Sequence, residues 1–425
     1  MSGNAGFQPG ACMPLRTFLA DDLTGAMDTG VQVAGQTSSP VFCLWHPEKI
    51  AALPPDATIV VDTESRNLPA VEAISAIRTT MDALLSVNRT VDYKKIDSTM
   101  RGHVAEELAE ILRFNPRRGA LICPALPAQG RSVHHGTLYV DGIPLSETDL
   151  AHDPLFSLSS SYLPDLLASL GAVSLLPDEA CRIPGLLAQG IHVFTADAAT
   201  ISDLEMWAMA ASSYDLLPVG SAGLASAWTE AGTPPVHADL RSLISSPAAI
   251  VCGTPAMRTM TQVAYLLGRL PELAHVHPGR EALLAPDSDP ARAAALQEAC
   301  LEIKRVLAGG RDVLVNVVHV AKGDILAAEG SPRSARLHAD RILQGLSVFA
   351  ESLDDAHTLI FLGGDTARVL LDASGAAAME ILGEVLPQIP IARIHGGRWD
   401  GKTVITKAGG FGDPDTLSAL LAMRG

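Results

Sequence analysis

The chain alternates short apolar runs with longer stretches whose apolar positions recur at helical spacing. Residues 15–20, 58–62, 91–97, 120–124, 191–197, 216–220, 249–252, 313–318 and 358–362 are strand-length and largely apolar. Between them, segments such as 71–85 and 106–114 carry the three-to-four-residue repeat of an amphipathic helix. Strands separated by helices predict an α/β chain with largely parallel sheets, since parallel neighbours need a long crossover. Several predicted strands stop at polar or glycine residues. In open α/β sheets, ligands bind beyond the carboxyl ends of strands.

A chain of 425 residues exceeds one ordinary core, so two domains are expected. The boundary is placed at 232–247, where Thr233-Pro234-Pro235 opens a segment with further Pro and Ser before a new strand. This gives domains at 14–235 and 247–425. Residues 136–145 read as a hairpin turning at Asp141-Gly142, an extended arm suited to a lid or to a homodimer contact.

Composition narrows the function. The formal net charge of −16 and an aromatic content of 4% exclude a nucleic-acid binder, which needs basic surface or stacking platforms. The 48% hydrophobic and 18% charged fractions describe a well-buried globular protein. Six scattered cysteines without a C-x-x-C pair read as free thiols in a reducing compartment. Residues 1–13 lack the signature of a signal peptide and read as a frayed extension. No uninterrupted apolar run reaches the length of a membrane span. A cytoplasmic protein without membrane partners is expected.

The densest chemistry lies in the first half. Asp21 and Asp22 follow directly on the first apolar run, with Thr24 and Gly25 where turn gives way to helix. Adjacent carboxylates repel, so they need a cation, a hydroxyl or a base role; Asp is also a preferred helix cap. Arg66 stands just past the 58–62 strand, placed to grip a carboxylate with two hydrogen bonds. Lys94, Lys95, Asp97, Ser98, Thr99 and Arg101 crowd one strand end, a density suited to a small hydroxy acid. His134 and His135 are adjacent, point differently and make a poor metal pair.

The second half repeats glycine turns after apolar strands: Gly253-Thr254, Gly363-Gly364-Asp365-Thr366 and Gly409-Gly410. Exposed amides at a helix start, approached closely through glycines, form an anion seat. Residues 396–403 match the P-loop pattern literally, but Thr403-Val404-Ile405-Thr406 is β-branched and favours a strand, so a hairpin turn is expected there, with Lys402 or Lys407 still able to touch nucleotide.

Taken together, segments 20–30, 62–66, 94–102, 123–131, 136–148, 220–225, 363–366 and 407–412 resemble the four-carbon acid sugar kinase family. The resemblance covers nearly the whole chain in order. It implies an N-terminal acid-sugar-binding domain, a C-terminal nucleotide-binding domain, and Mg2+-ATP-dependent phosphorylation of the terminal hydroxyl of a tetronate. It is nearer to the D-threonate branch than to the 3-oxo-tetronate branch, with D-erythronate a close competitor. On this resemblance Asp21 or Asp22 takes the proton of the attacking hydroxyl while the other orients magnesium–ATP. Arg66, Asp22, Lys94, Lys95, Asp97, Ser98, Thr99 and Arg101 bind the acid. Thr254, Gly363, Gly364, Asp365, Thr366, Gly409 and Gly410 hold the nucleotide, and the two domains close over both. Residues 253–257 depart from the family's more serine-rich turn, which loosens the role of Thr254. The rival from another class is a non-catalytic sugar-acid or nucleotide sensor, whose DNA-binding helix or basic arm is not found in the sequence.

Overall fold

The computed structural model describes residues 16–35, 37, 39–151, 158, 160–229, 240–317 and 332–424. The predicted extension at 1–13 and the linker residues 232–239 lie outside them. The first half contributes β1 (Thr17–Ala20), β2 (Val41–Leu44), β3 (Thr58–Asp62), β4 (Tyr93–Lys95), β5 (Gly119–Cys123), β6 (Arg131–His134), β7 (Thr137–Val140), β8 (Ile143–Pro144), β9 (Val173–Leu175), β10 (Val193–Ala196) and β11 (Leu216–Gly220). The second half contributes β12 (Ala248–Cys252), β13 (Ala274–Val276), β14 (Val313–Asn316), β15 (Thr358–Leu362), β16 (Ala378–Leu386), β17 (Ile389–His395) and β18 (Thr403–Lys407). The nine predicted strands are present, some trimmed at their ends. The 91–97 run is a strand only over Tyr93–Lys95, because its last residues leave the sheet to build the loop that carries Asp97 and Arg101. Helices Ala70–Ser86 and Val104–Phe114 occupy the two predicted helical segments.

Among the described residues the two sets of parallel strands are fused into one sheet, in the order β13-β14-β12-β15-β18-β17-β16-β2-β3-β1-β4-β11-β5-β10-β9. The fusion is a short antiparallel ladder with Met379 opposite Cys43 and Glu380 opposite Phe42. Strands β6, β7 and β8 form a separate antiparallel arm around the predicted Asp141-Gly142 turn. Three antiparallel junctions, β18–β17, β17–β16 and β16–β2, lie between the parallel sets, so the two sets nominally run in opposite directions. Adjacent strands rotate by roughly 20–25°. Across the steps from β15 to β1 this sums to roughly 120–150°, which largely undoes the reversal. The carboxyl ends of β1, β3 and β4 and those of β12, β15 and β18 therefore open onto one cleft.

Helix Leu23–Ala34 follows β1 and lies across the junction, against β2 and β3 of the first half and β16 of the second. A Cβ on its Gly30 would overlap the Ile381 side chain of β16, so glycine is what allows the helix to bridge the halves. One buried apolar cluster accordingly includes Phe18, Met27 and Val60 together with Ala378, Ile381 and Val404. Polar contacts cross the junction as well. Arg368, on helix Gly364–Ser374, reaches Asp62 at 3.4 Å and Glu64 at 3.2 Å, and Trp45 donates to Asp372 at 2.6 Å. Among the described residues no helix is long and apolar enough to cross a membrane.

This packing predicts that Gly30→Ala destabilises the protein by about 1–3 kcal/mol, the usual cost of overfilling a packed contact. Ile381→Val, which removes the overlapped methyl, should recover part of that loss in the same chain. Urea denaturation measures both, and a neutral Gly30→Ala would show that the halves are not packed in this way.

Candidate functional site

The first-half wall is an ion-pair network at three strand ends. Asp22 is the N-cap of helix Leu23–Ala34, its Oδ1 accepting the Gly25 amide at 2.9 Å. The capping role and a place at the cleft thus coincide in one residue. Arg66 donates through Nε and Nη2 to the two oxygens of Asp21, at 3.0 and 2.8 Å, and through Nη2 to Asp22 at 2.7 Å. Its Nη1 lies 3.9 Å from Asp97. Asp97 in turn accepts from Arg101 at 3.0 and 3.1 Å and from the amide and hydroxyl of Thr99. Burial pushes the Asp97 carboxyl up, but Arg101 and Arg66 overcome it and hold the group well below the usual carboxylate range. The same balance holds Asp21 low, with Arg66, Lys94 and Lys95 outweighing burial.

The second-half wall is made of glycine turns. Gly363 caps helix Gly364–Ser374 at φ 107°, a left-handed conformation that favours glycine. No side chain caps that helix, so its first amides have the open geometry of an anion seat. Thr254 is wedged between the other two turns: a Cβ on Gly409 would lie 2.7 Å from its hydroxyl, and one on Gly363 would lie 3.1 Å from its Cβ. Lys407, at the end of β18, braces this floor from below by donating to Thr259 at 3.1 Å and to the Ala408 carbonyl at 2.8 Å. Burial lowers its pKa to about 8.

The two walls meet. A Cβ on Gly364 would lie only 2.7 Å from the Thr24 hydroxyl, so the start of one helix faces the start of the other. Between the halves lies a cavity of about 1250 Å³, larger than a typical single-ligand pocket. Burial, and then the nearby Asp22 charge, push the Asp365 carboxyl up, which sets two acids against each other across this space.

Asp22, Arg66, Lys95, Asp97, Ser98, Thr99, Arg101, Thr254, Gly363, Gly364, Asp365, Thr366, Gly409 and Gly410 all line this cavity. Two predicted residues do not. Side chains alternate faces along a strand, so only one of Lys94 and Lys95 can face the cleft. Lys94 is 1% exposed and pairs with Glu107 of helix Val104–Phe114, which makes it a structural cation and not a substrate ligand. Asp21 is buried with both oxygens committed to Arg66. It holds the arginine and does not line the cavity. The literal P-loop match is the turn between β17 and β18, as its β-branched residues predicted, and Lys402 there donates to the Ala356 carbonyl at 2.6 Å.

Asp28, Arg131, Asp141 and Arg258 line the cavity without having been singled out. Asp28 was within reach of sequence reasoning, because Thr24, Gly25 and Asp28 share one helix face. Arg131 and Asp141 come from the arm, which therefore borders the cleft. Arg258 follows a turn whose orientation no local pattern announces.

Residues 17–228 match the family model of a sugar-binding N-terminal domain, and residues 249–417 that of a nucleotide-binding C-terminal domain. The chain is 31% identical to a protein of Salmonella typhimurium named D-threonate kinase, over 94% of this chain and 96% of the relative. It is 30% identical to another of that name from Bordetella bronchiseptica, over 95% and 96%. A solved structure from Salmonella typhimurium LT2, at 21% identity, shares the fold with a TM-score of 0.77 over 95% of this chain and 98% of that one. With both domain matches in sequence order and kinases of that kind aligned over nearly its whole length, the chain belongs to the four-carbon acid sugar kinases, a family of phosphotransferases.

Proposed function

We propose that this protein transfers the terminal phosphoryl group of ATP to the C4 hydroxyl of a four-carbon sugar acid, D-threonate to 4-phospho-D-threonate. The observation that carries this is the contact between Thr24 and Gly364, which sets an uncapped helix start against the acid-and-cation cluster of the other half. Phosphoryl transfer needs an in-line approach and neutralised charge more than covalent help. The glycine turns at Gly253, Gly363 and Gly409 supply the phosphate seat, and Lys95 and Arg101 supply positive charge on the wall where the acid would lie. Of the two acids proposed as base, Asp22 is the better placed. Its Oδ1 is held by Gly25 and Arg66, which leaves Oδ2 for the hydroxyl proton.

Among the described residues no three His, Cys, Asp or Glu side chains cluster as a metal site. Magnesium bound with a nucleotide takes only one or two carboxylates and completes its shell with phosphate oxygens and water. Asp365, at the uncapped helix start and raised by burial, fits that requirement, and a cation there would neutralise phosphate charge.

Purified protein given magnesium–ATP should release ADP with D-threonate at a higher kcat/KM than with D-erythronate or 3-oxo-tetronates, the substrates named for more distant members of the family. No ADP from any of these acids would overturn the assignment, and a preference for another acid would overturn only its final step. Asp22→Asn should lower kcat by roughly 10²- to 10⁴-fold, the range for loss of a general base, with far-UV circular dichroism unchanged. The paired lysines give a contrast. Lys95→Ala should raise the KM for the acid and leave that for ATP alone. Lys94→Met should leave both KM values and cost about 3–5 kcal/mol in denaturant unfolding, since it strands a buried carboxylate.

A further inference from the structure

The carboxylate of Asp28 has no part in the chemistry above, yet it faces the same cavity. It follows Thr24 by four residues and Gly25 by three on helix Leu23–Ala34, so the three share one face, and all three line the cavity. Thr24 touches the phosphate seat at Gly364. Asp28 therefore lies one turn, about 6 Å, further along that face, a span comparable with an extended four-carbon chain. Its Oδ1 is buried and has no hydrogen-bond partner among the described residues. A buried oxygen without a donor costs free energy, and a hydroxyl-bearing ligand in the cavity is the donor that would relieve it.

The charged groups facing Asp28 come from four elements: Lys95 from β4, Asp22 from the helix cap, Arg66 from the turn after β3, and Glu384 from β16. Burial is the largest influence and carries the carboxyl up to about 7, with Asp22 and Glu384 adding to it and Lys95 and Arg66 opposing it. The Lys95 ammonium lies 2.9 Å from the point a Cβ on Gly25 would occupy, on the same stretch of wall. A cation beside an acceptor with open lone pairs is the chemical complement of a hydroxy acid: Lys95 for the carboxylate, Asp28 for the hydroxyls.

Resting on the kinase assignment, we propose that Asp28 reads the 2,3-diol of the acid substrate. Its two carboxylate oxygens accept the C2 and C3 hydroxyls and so select acids that carry the 2,3-diol over their 3-oxo counterparts. Asp28 is then a specificity residue, one helical turn from the phosphate seat.

The test compares wild type with the near-isosteric Asp28→Asn and with Asp28→Ala on D-threonate and on a 3-oxo-tetronate. For D-threonate, kcat/KM should fall by roughly 10- to 100-fold, the loss expected for hydrogen bonds to a charged acceptor. The 3-oxo acid, which keeps only the C2 hydroxyl, should lose less, and the KM for ATP should be unaffected. In wild type, kcat/KM for D-threonate should drop as pH falls below about 7, where Asp28 takes up its proton, and that limb should be missing from Asp28→Asn. A structural role is separable through stability. The folded carboxyl holds its proton more tightly than the unfolded one, so it costs stability progressively as pH rises from about 4 to about 7. Asp28→Asn should therefore raise Tm at pH 8 and leave it unchanged at pH 4. Equal losses for both acids, or a lower Tm with unchanged kinetics, would overturn the proposal. If wild type turns over none of the acids, the kinase assignment fails, and titration calorimetry with D-threonate still decides this one. Weaker binding by Asp28→Asn upholds it; equal binding, or none by wild type, overturns it.

Discussion

The ion pair between Asp21 and Arg66 is the constraint on which the acid-binding wall depends. Both groups are buried, and a buried charge is tolerable only when it is paired and hydrogen-bonded. The two parallel bonds from Arg66 fix the plane of the guanidinium. Once that plane is fixed, the remaining edge must point at Asp22 on one side and toward Asp97 on the other. The Arg66 amide also donates to the Asp21 carbonyl at 3.1 Å, so the turn after β3 is tied to the end of β1 by backbone as well as by charge. Three strand ends are thereby locked into one surface without any of them being long.

A second constraint is topological. Strands from the two halves can share a cleft at their carboxyl ends only if the sheet between them turns far enough. The antiparallel β16–β17–β18 segment both reverses the direction and supplies most of the extra strands over which twist accumulates. Helix Leu23–Ala34 then spans the junction, its first turn at the phosphate seat and its Gly30 against β16. The glycine in that motif therefore serves packing between the halves, whereas Gly25, four residues from Thr29, lies at the cleft.

The parallel strands and the convergence of the glycine turns were legible because long apolar runs ending in glycine or acid leave few alternatives. The joining segment was not. Residues 378–386 mix Glu380, Gly383 and Glu384 into the run, and Pro390 sits inside β17, so both read as weak strands. The pairing of β16 with β2 is non-local and has no sequence signature. Lys94 was misassigned although the two-residue strand period forbids both lysines from facing the cleft. Asp21 could not have been separated from Asp22 by sequence, because which acid turns inward depends on where Arg66 lands.

The remaining electrostatics follow from what a phosphoryl-transfer site must hold. A formal charge of −16 over the whole chain is compatible with anionic ligands only if cations are concentrated, and Arg66, Lys95, Arg101, Arg131 and Arg258 all line the one cavity. The same cavity also carries acids that are not neutralised by these cations. Asp365 is raised by burial and by Asp22, and Asp28 by burial and by Asp22 and Glu384. Such groups weaken the fold by themselves, since each disfavours the charged form that water would stabilise. A divalent cation on Asp365 and hydroxyls on Asp28 would each remove part of that cost. Ligand binding would then draw free energy from relieved repulsion as well as from new contacts, and the folded state would gain stability by mass action as those ligands accumulate. Carboxylates that are poor choices for stability are, on this view, the ones placed for function.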